Sequence, residues 1–138
     1  MIPGGAEFSL DVRSEDDARR DRAFDAFTEW LGAQCQERGI ELSIEVTHAA
    51  DAVLCAPRLQ ELLAKALGDL NLDAGSLPSG AGHDAMAVAP LCDVAMLFIR
   101  CAGGVSHNPL ESVSIEDVGF AQQAMLAFLD RLSAEVAR

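Results

Sequence analysis

The first fifty residues carry two apolar patterns of different period, and their order restricts the fold more than any other feature. The segment AEFSLDVR at 6–13 alternates apolar and polar side chains, as a half-buried strand does. A helical apolar period follows over about 15–38, with Ser14 as the expected N-cap and Gly39 as the stop, and ELSIEV at 41–46 alternates again. This β-α-β order predicts two parallel strands in one sheet.

Beyond residue 50 the pattern predicts three helices, two loops and one strand, with a soft domain boundary near 47–56. The apolar run VAMLFIRC at 94–101 is expected to be a strand covered on both faces. The other predicted elements are a helix from Pro57, a glycine- and serine-rich loop at 73–82, a short helix at 84–90, a loop at 101–112 and a last helix that Ser114 opens. The predicted fold class is therefore α/β, in two parts, 1–50 and 51–138.

Composition excludes several classes of protein. The 138 residues suffice for one domain or pieces of two, and 50% hydrophobic with 23% charged residues is the balance of a globular chain. A net charge of −12 argues against nucleic acid, which needs clustered Lys and Arg. The start lacks a signal-peptide pattern and no apolar run could span a bilayer, so we expect a cytoplasmic protein without membrane contact. The four cysteines have no metal-site or disulfide spacing and are expected to be reduced.

Two histidines lie in glycine-rich loops, His83 in SGAGHDA and His107 in GVSHNPLE. Small residues let a ligand approach closely, so both are candidate site residues, although an ordinary surface histidine remains the commoner case. His107 and Glu111 have the i, i+4 spacing of a helical metal pair, but Pro109 between them argues against a helix there. Adding Asp84 or His83 would need a tertiary closure that no local spacing predicts. A complete metal site is therefore not predicted by pattern alone.

Arg13 ends the first predicted strand, beside Asp11. A guanidinium there could bind a substrate carboxylate through two parallel hydrogen bonds, or could pair with neighbouring acids. The sequence alone leaves both interpretations open.

Three segments together resemble a known family. IPGGAEFSLDVRS at 2–14, LPSGAGHDAM at 77–86 and MLFIRCAGGVSHNPLESVSIEDV at 96–118 are similar, in this order, to the C-terminal part of the hydantoinase/carbamoylase amidases of the M20 metallopeptidase superfamily. That family includes N-carbamoyl-L-amino-acid hydrolases, allantoate amidohydrolases and β-ureidopropionases. The S-G-A-G-H-D and G-x-S-H-x-x-x-E motifs are fairly specific to it.

The resemblance implies roles for five residues. In the family, two divalent metal ions, zinc with manganese or cobalt as alternatives, hold a water between a catalytic domain and a lid that also forms the dimer. His107 would then be a metal ligand, and Arg13 would bind the substrate carboxylate from the lid. His83 and the backbone of Gly82 would line the substrate pocket, and Glu111 would orient groups around the metal from the second shell of contacts.

The departures from the family matter as much. Its other metal ligands and its glutamate base have no counterpart here. We therefore expect 1–50 to be half of a lid and 51–138 the last part of a catalytic domain. This chain would be inactive and hold no metal stably by itself. Its expected partner is an N-terminal half or a second copy, in a homo-oligomer that acts on small N-carbamoyl or amide substrates.

Two other hypotheses stay open. The chain could be a non-catalytic dimerisation or binding module derived from the family, which uses the unpaired edge of the strand at 6–13. It could also be an independent enzyme with a new site, built from His83, Asp84, His107 and Glu111.

Overall fold

The computed structural model describes residues 3–73 and 75–137; Met1, Ile2, Ala74 and Arg138 lie outside the described residues. Within these ranges the chain is made of helices joined by irregular segments. The helices are α1 at Asp17–Arg38, α2 at Pro57–Asp69, α3 at Asp84–Val88 and α4 at Ile115–Val136, with a short 3-10 turn at Ala102–Gly104. The helix predictions are confirmed, because local signals are sufficient to start and stop a helix.

The ends of α1 show how local those signals are. Asp16 caps the helix, with its Oδ1 accepting the main-chain N–H of Arg19 at 3.0 Å. The prediction that Ser14 is the cap was wrong by two residues, because an aspartate accepts the same bond and its charge favours a helix N-terminus. The Ser14 hydroxyl instead accepts the N–H of Asp16 at 3.2 Å. Gly39 ends the helix at φ 66°, a left-handed backbone that glycine adopts without strain.

Helices α2 and α4 pack against each other and form the buried core of the described chain. Leucines of α2 supply most of it, and two ion pairs also join the helices, Arg58 to Glu135 at 2.9 Å and Asp69 to Arg131. The buried apolar side chains are Leu59, Leu62, Leu63, Ala66 and Ala124. Five small or aliphatic residues are a small core for a chain of this length.

The predicted strands at 6–13, 41–46 and 94–101 are not confirmed. Across residues 3–73 and 75–137 no strand is formed, so the α/β class does not describe this part of the chain. A strand needs a neighbouring strand for its backbone groups, and the single bond from the N–H of Ala56 to the carbonyl of Val94, 2.8 Å long, is too little for a ladder. Phe8, at 66% exposed, shows that the alternating apolar faces remain uncovered.

The accessible surface is much larger than a chain of this mass normally has. It is 11,200 Å², whereas a compact monomer of 14.6 kDa exposes about 6,900 Å². Even two separate compact units of half that mass would expose only about 8,300 Å² together. The excess includes many large apolar side chains, which normally lie inside a protein or an interface.

The chain divides into two units. One contains the residues up to Val53 together with Pro78–Ala81, and the other contains Leu54–Leu77 and the residues from Gly82 onward. The five buried side chains of the core belong to the second unit, and the described residues of the first unit include no buried side chain. The assignment of 1–50 to a lid and 51–138 to a catalytic domain stays a prediction. None of the helices in the described ranges is long and apolar enough to cross a membrane.

Candidate functional site

In the first unit, Arg13 is held by two partners. Its Nε and Nη2 donate to the carboxylate of Asp11 at 2.9 and 2.5 Å, and its Nη1 donates to the carbonyl oxygen of Gly80 at 2.6 Å. The hydrogen bond to Arg13 lowers the pKa of Asp11, and the same bond raises the pKa of Arg13. A guanidinium carries five N–H groups, so two remain for a further acceptor. Arg13 thus pairs with an acid, and its role in binding a substrate stays a prediction.

An open cleft of about 440 Å³ lies beside this arginine, within the first unit. Three guanidinium groups and one carboxylate are among its lining side chains, from Arg13, Arg19, Arg20 and Glu15. Arg20 is itself paired with Asp17 and Asp21. Asp11 offsets the charge of Arg13, Asp17 and Asp21 offset that of Arg20, and Glu15 offsets that of Arg19, so these groups leave no surplus of positive charge at the cleft.

In the second unit, His83 lies directly before α3, with extended backbone angles. It is half-buried, and its ring meets that of Phe98 edge-on, with centroids 5.6 Å apart. Gly82 is exposed, and a Cβ there would meet only the Met86 sulfur at 3.9 Å. The predicted pocket role of both residues is untested by these contacts.

The His107 loop of the second unit is defined here as residues 102–112. His107 has a positive φ of 54°, which is uncommon for a residue other than glycine. Its main-chain N–H donates to Oε2 of Glu111 at 2.8 Å. Asn108 shapes the turn between them, since its Oδ1 accepts the N–H of Leu110 at 3.0 Å and its carbonyl accepts that of Glu111 at 2.9 Å.

Contacts also join the two ends of this loop. The N–H of Ala102 donates to the carbonyl of Ser112 at 2.8 Å, and the Cys101 thiol lies 3.8 Å from the second Glu111 oxygen, Oε1. The Glu111 carboxylate therefore has a contact on each oxygen. His107 itself is exposed at the tip. The loop is a local structure whose geometry depends on few residues outside it.

The metal-binding capacity of the described residues is small. Among residues 3–73 and 75–137, no three His, Cys, Asp or Glu side chains come together in a way that could hold a metal ion. His83, Asp84, His107 and Glu111 therefore do not form such a group in this part of the chain, and the hypothesis of an independent enzyme with a new site stays a prediction. An exposed imidazole such as that of His107 suits zinc as one ligand, but catalytic zinc needs about three protein ligands. The described residues therefore fit one ligand position of a metal site, that of His107.

Comparison with known proteins gives the family. The model of peptidase family M20/M25/M40 matches residues 3–131. The chain belongs to this family. Over 94% of its length this M20 chain is 42% identical to allantoate deiminase of Arabidopsis thaliana, and over 86% it is 37% identical to N-carbamoyl-L-amino-acid amidohydrolase of Pseudomonas sp. strain NS671. It spans only 26% and 28% of the lengths of those two relatives.

Sequence reasoning about the M20 chain missed how His107 and Glu111 meet. Their i, i+4 spacing was compared with a helical pair, in which both side chains would face a metal. The structure instead joins the carboxylate of one to the main chain of the other. The Asn108-Pro109 pair, a common turn signal, was the feature that could have indicated a reversal there.

Proposed function

We propose that this chain is the C-terminal portion of a metal-dependent amidohydrolase that cleaves linear amide or ureido C–N bonds, and that it is inactive alone. Its substrates would be N-carbamoyl amino acids or similar small ureido acids. Family membership and the names of the relatives support the reaction class. The observation that carries the proposal is the exposed His107 at the tip of an ordered loop, while no three possible metal ligands come together among the described residues.

His107 would supply one imidazole ligand to a divalent ion, with zinc as the first candidate and manganese or cobalt as alternatives. The ion, when bound, polarises the scissile carbonyl and lowers the pKa of a water. The exposed position and the left-handed backbone of His107 support this role, because strained backbone at a loop tip is commoner at functional sites than elsewhere.

Arg13 would bind the substrate carboxylate. The side-on pair with Asp11 and the bond to the Gly80 carbonyl hold the guanidinium in one orientation. The two remaining N–H groups, one on Nη1 and one on Nη2, can then donate to a substrate carboxylate. The open cleft beside it leaves room for a small ligand to approach this guanidinium. His83 and the backbone of Gly82 would line the substrate pocket.

The other metal ligands and the general base would come from the part of such an enzyme that the relatives carry beyond the matched region. The chain covers about a quarter to a third of its relatives, and its excess exposed surface supports a large covering partner. An interface that removed the excess would exceed the size of ordinary transient complexes. We propose that this partner is the preceding portion of the same type of enzyme, within a cytoplasmic homo-oligomer.

A fusion tests the proposal. The portion of the Pseudomonas relative that precedes the matched region is joined to this chain, and hydrolysis of N-carbamoyl amino acids and of allantoate is measured with added zinc, manganese or cobalt. We expect turnover by the fusion, loss of at least about a hundredfold in His107→Ala, and none by the chain alone. His48→Ala, at an exposed histidine of the first unit, is the matched control.

Two results would contradict the proposal. One is turnover by the chain alone that His107→Ala abolishes. The other is a fusion that binds metal and hydrolyses substrate equally well with and without His107. Metal analysis of the purified chain adds an independent measurement, for which we expect well below one equivalent.

A second hypothesis, a dimerisation module without catalysis, is favoured by one observation. Phe8 and Val46, on the two predicted strands of the first unit, are 66% and 64% exposed. Two copies could pair the main-chain edges of the segment at 6–13, and packing of their apolar faces on each other would cover these side chains. Light scattering after size exclusion distinguishes the two: a stable dimer of the chain, with no gain of activity in the fusion, would support the module.

A further inference from the structure

We propose that Glu111 is a positioning residue that holds the main chain of His107, rather than its ring, in the conformation that presents the imidazole. This inference rests on the proposed role of His107 as a metal ligand. It adds to that role the contact that directs the side chain of His107. It also replaces the general expectation of a carboxylate on the imidazole N–H with a different contact.

The first step is the backbone of His107. A φ of 54° places it in the left-handed region, where the Cβ of an ordinary residue crowds the following carbonyl. For a residue other than glycine this conformation is disfavoured by about 5- to 30-fold. An exposed loop residue would leave it unless specific contacts compensated. His107 is exposed, so packing does not supply that compensation.

The second step is the contact that compensates. The main-chain N–H of His107 donates to Oε2 of Glu111 at 2.8 Å, within the range of strong charge-assisted hydrogen bonds. Such a bond forms only if the amide points toward the carboxylate, so it selects among the backbone conformations of His107. Pro109 and Asn108 shape the turn that brings the Glu111 carboxylate close to the His107 amide. Pro109 fixes its own φ, and Asn108 accepts hydrogen bonds from the N–H groups of both Leu110 and Glu111.

The third step is the position of the carboxylate itself. Its other oxygen, Oε1, lies 3.8 Å from the Cys101 sulfur, at the base of the loop. The carboxylate is thus placed between the base and the tip. Because it binds the main-chain amide, Glu111 occupies neither imidazole nitrogen. Within residues 3–73 and 75–137 neither imidazole nitrogen of His107 makes a hydrogen bond, so one can bind a metal ion and the other a group that orients the ring.

Solution NMR of the full chain tests this without any metal. We compare the chain with Glu111→Ala, which removes the acceptor, and Glu111→Gln, which keeps an amide oxygen at about the same reach. Glu116→Ala, in the first turn of α4, is the matched control. In Glu111→Ala we expect exchange of the His107 amide hydrogen to accelerate about tenfold or more. The strong intraresidue Hα–HN contact of a left-handed residue should weaken, and the χ1 couplings of His107 should become averaged.

Rescue and stability separate positioning from a merely structural role. Glu111→Gln should restore most of the amide protection and of the fixed χ1 angle, while Glu116→Ala should change neither. Thermal unfolding of the α2 and α4 helices should be nearly the same in Glu111→Ala, Glu111→Gln and the parent chain, since the His107 loop adds nothing to the buried core. A loss of helix stability that accompanies every loss of His107 order would instead indicate a structural role and overturn the proposal.

The proposal is equally overturned if Glu111→Ala leaves the amide exchange, the left-handed signature and the χ1 couplings of His107 unchanged. These readouts do not depend on metal binding or turnover. The positioning role can therefore fail while the fusion enzyme is active, and it can hold while the fusion is inactive.

Discussion

Leu62→Ala should destabilise the second unit more than any exposed leucine substitution. Leu62 lies on the buried stripe of α2 and is 4% exposed. Replacing a buried leucine by alanine costs about 2–5 kcal/mol, through lost transfer free energy and the cavity left behind. The core of α2 and α4 is small and its surroundings are open, so the helices can partly close the gap. We therefore expect a value near the lower end, about 2–3 kcal/mol.

The matched control is Leu54→Ala, at a leucine of the same unit that is 83% exposed. Its free energy of unfolding should change by less than about 0.5 kcal/mol. Urea unfolding followed by far-UV circular dichroism gives both values, provided that the two variants keep the slope of the parent chain. Equal destabilisation by the two substitutions would refute the reasoning, because it would mean that Leu62 is not distinguished by burial and that α2 and α4 do not form the core.

Two further predictions concern helix ends. Asp16→Ala should lower the stability of α1 by about 0.5–2 kcal/mol, because it removes the acceptor of the Arg19 N–H. The loss is measured as reduced helicity, and Glu15→Ala, one residue before the cap, is the control. The pKa of Asp117 is lowered by its hydrogen bond from the Ser114 hydroxyl and then by Arg100. Its ionised form therefore stabilises the folded chain above the ordinary pKa of about 3.9, and this contribution is lost as the pH falls through that value toward the lowered one. Asp117→Asn should flatten the acid end of an α4 helicity titration relative to the parent chain, and an unchanged titration would contradict the assignment.

The helices could be predicted from the sequence because the signals that fix them are local. Ser114 and Asp117 lie three residues apart, and in the structure the hydroxyl of the first accepts the N–H of the second at 2.9 Å. Pro57 starts α2 at the expected residue, and Gly39 ends α1. Each of these contacts joins residues a few positions apart, so the pattern in the sequence and the bond in the structure are nearly the same observation.

The strands could not be tested in the same way, because their stability is not local. The alternation of a segment such as 41–46 predicts which of its faces is buried. Its main-chain hydrogen bonds, however, form only with a neighbouring strand, which the segment itself does not specify. Ile44 is 48% exposed in the described chain, although its alternation predicts a covered face. The sequence pattern thus predicts a buried environment for these apolar side chains, which the described residues do not provide.

The candidate site also has parts whose geometry is local and parts whose geometry depends on distant segments. Arg13 and Cys101 each end a segment predicted as a strand, so the final position of both depends on sheet partners. The bond between His107 and Glu111 spans four residues and needs no sheet. A chain of this kind can therefore order His107 before any other part of the proposed metal site is present. If the remaining ligands arrive on another segment, the ordering of His107 does not have to be repeated at that step, and metal binding loses less conformational entropy.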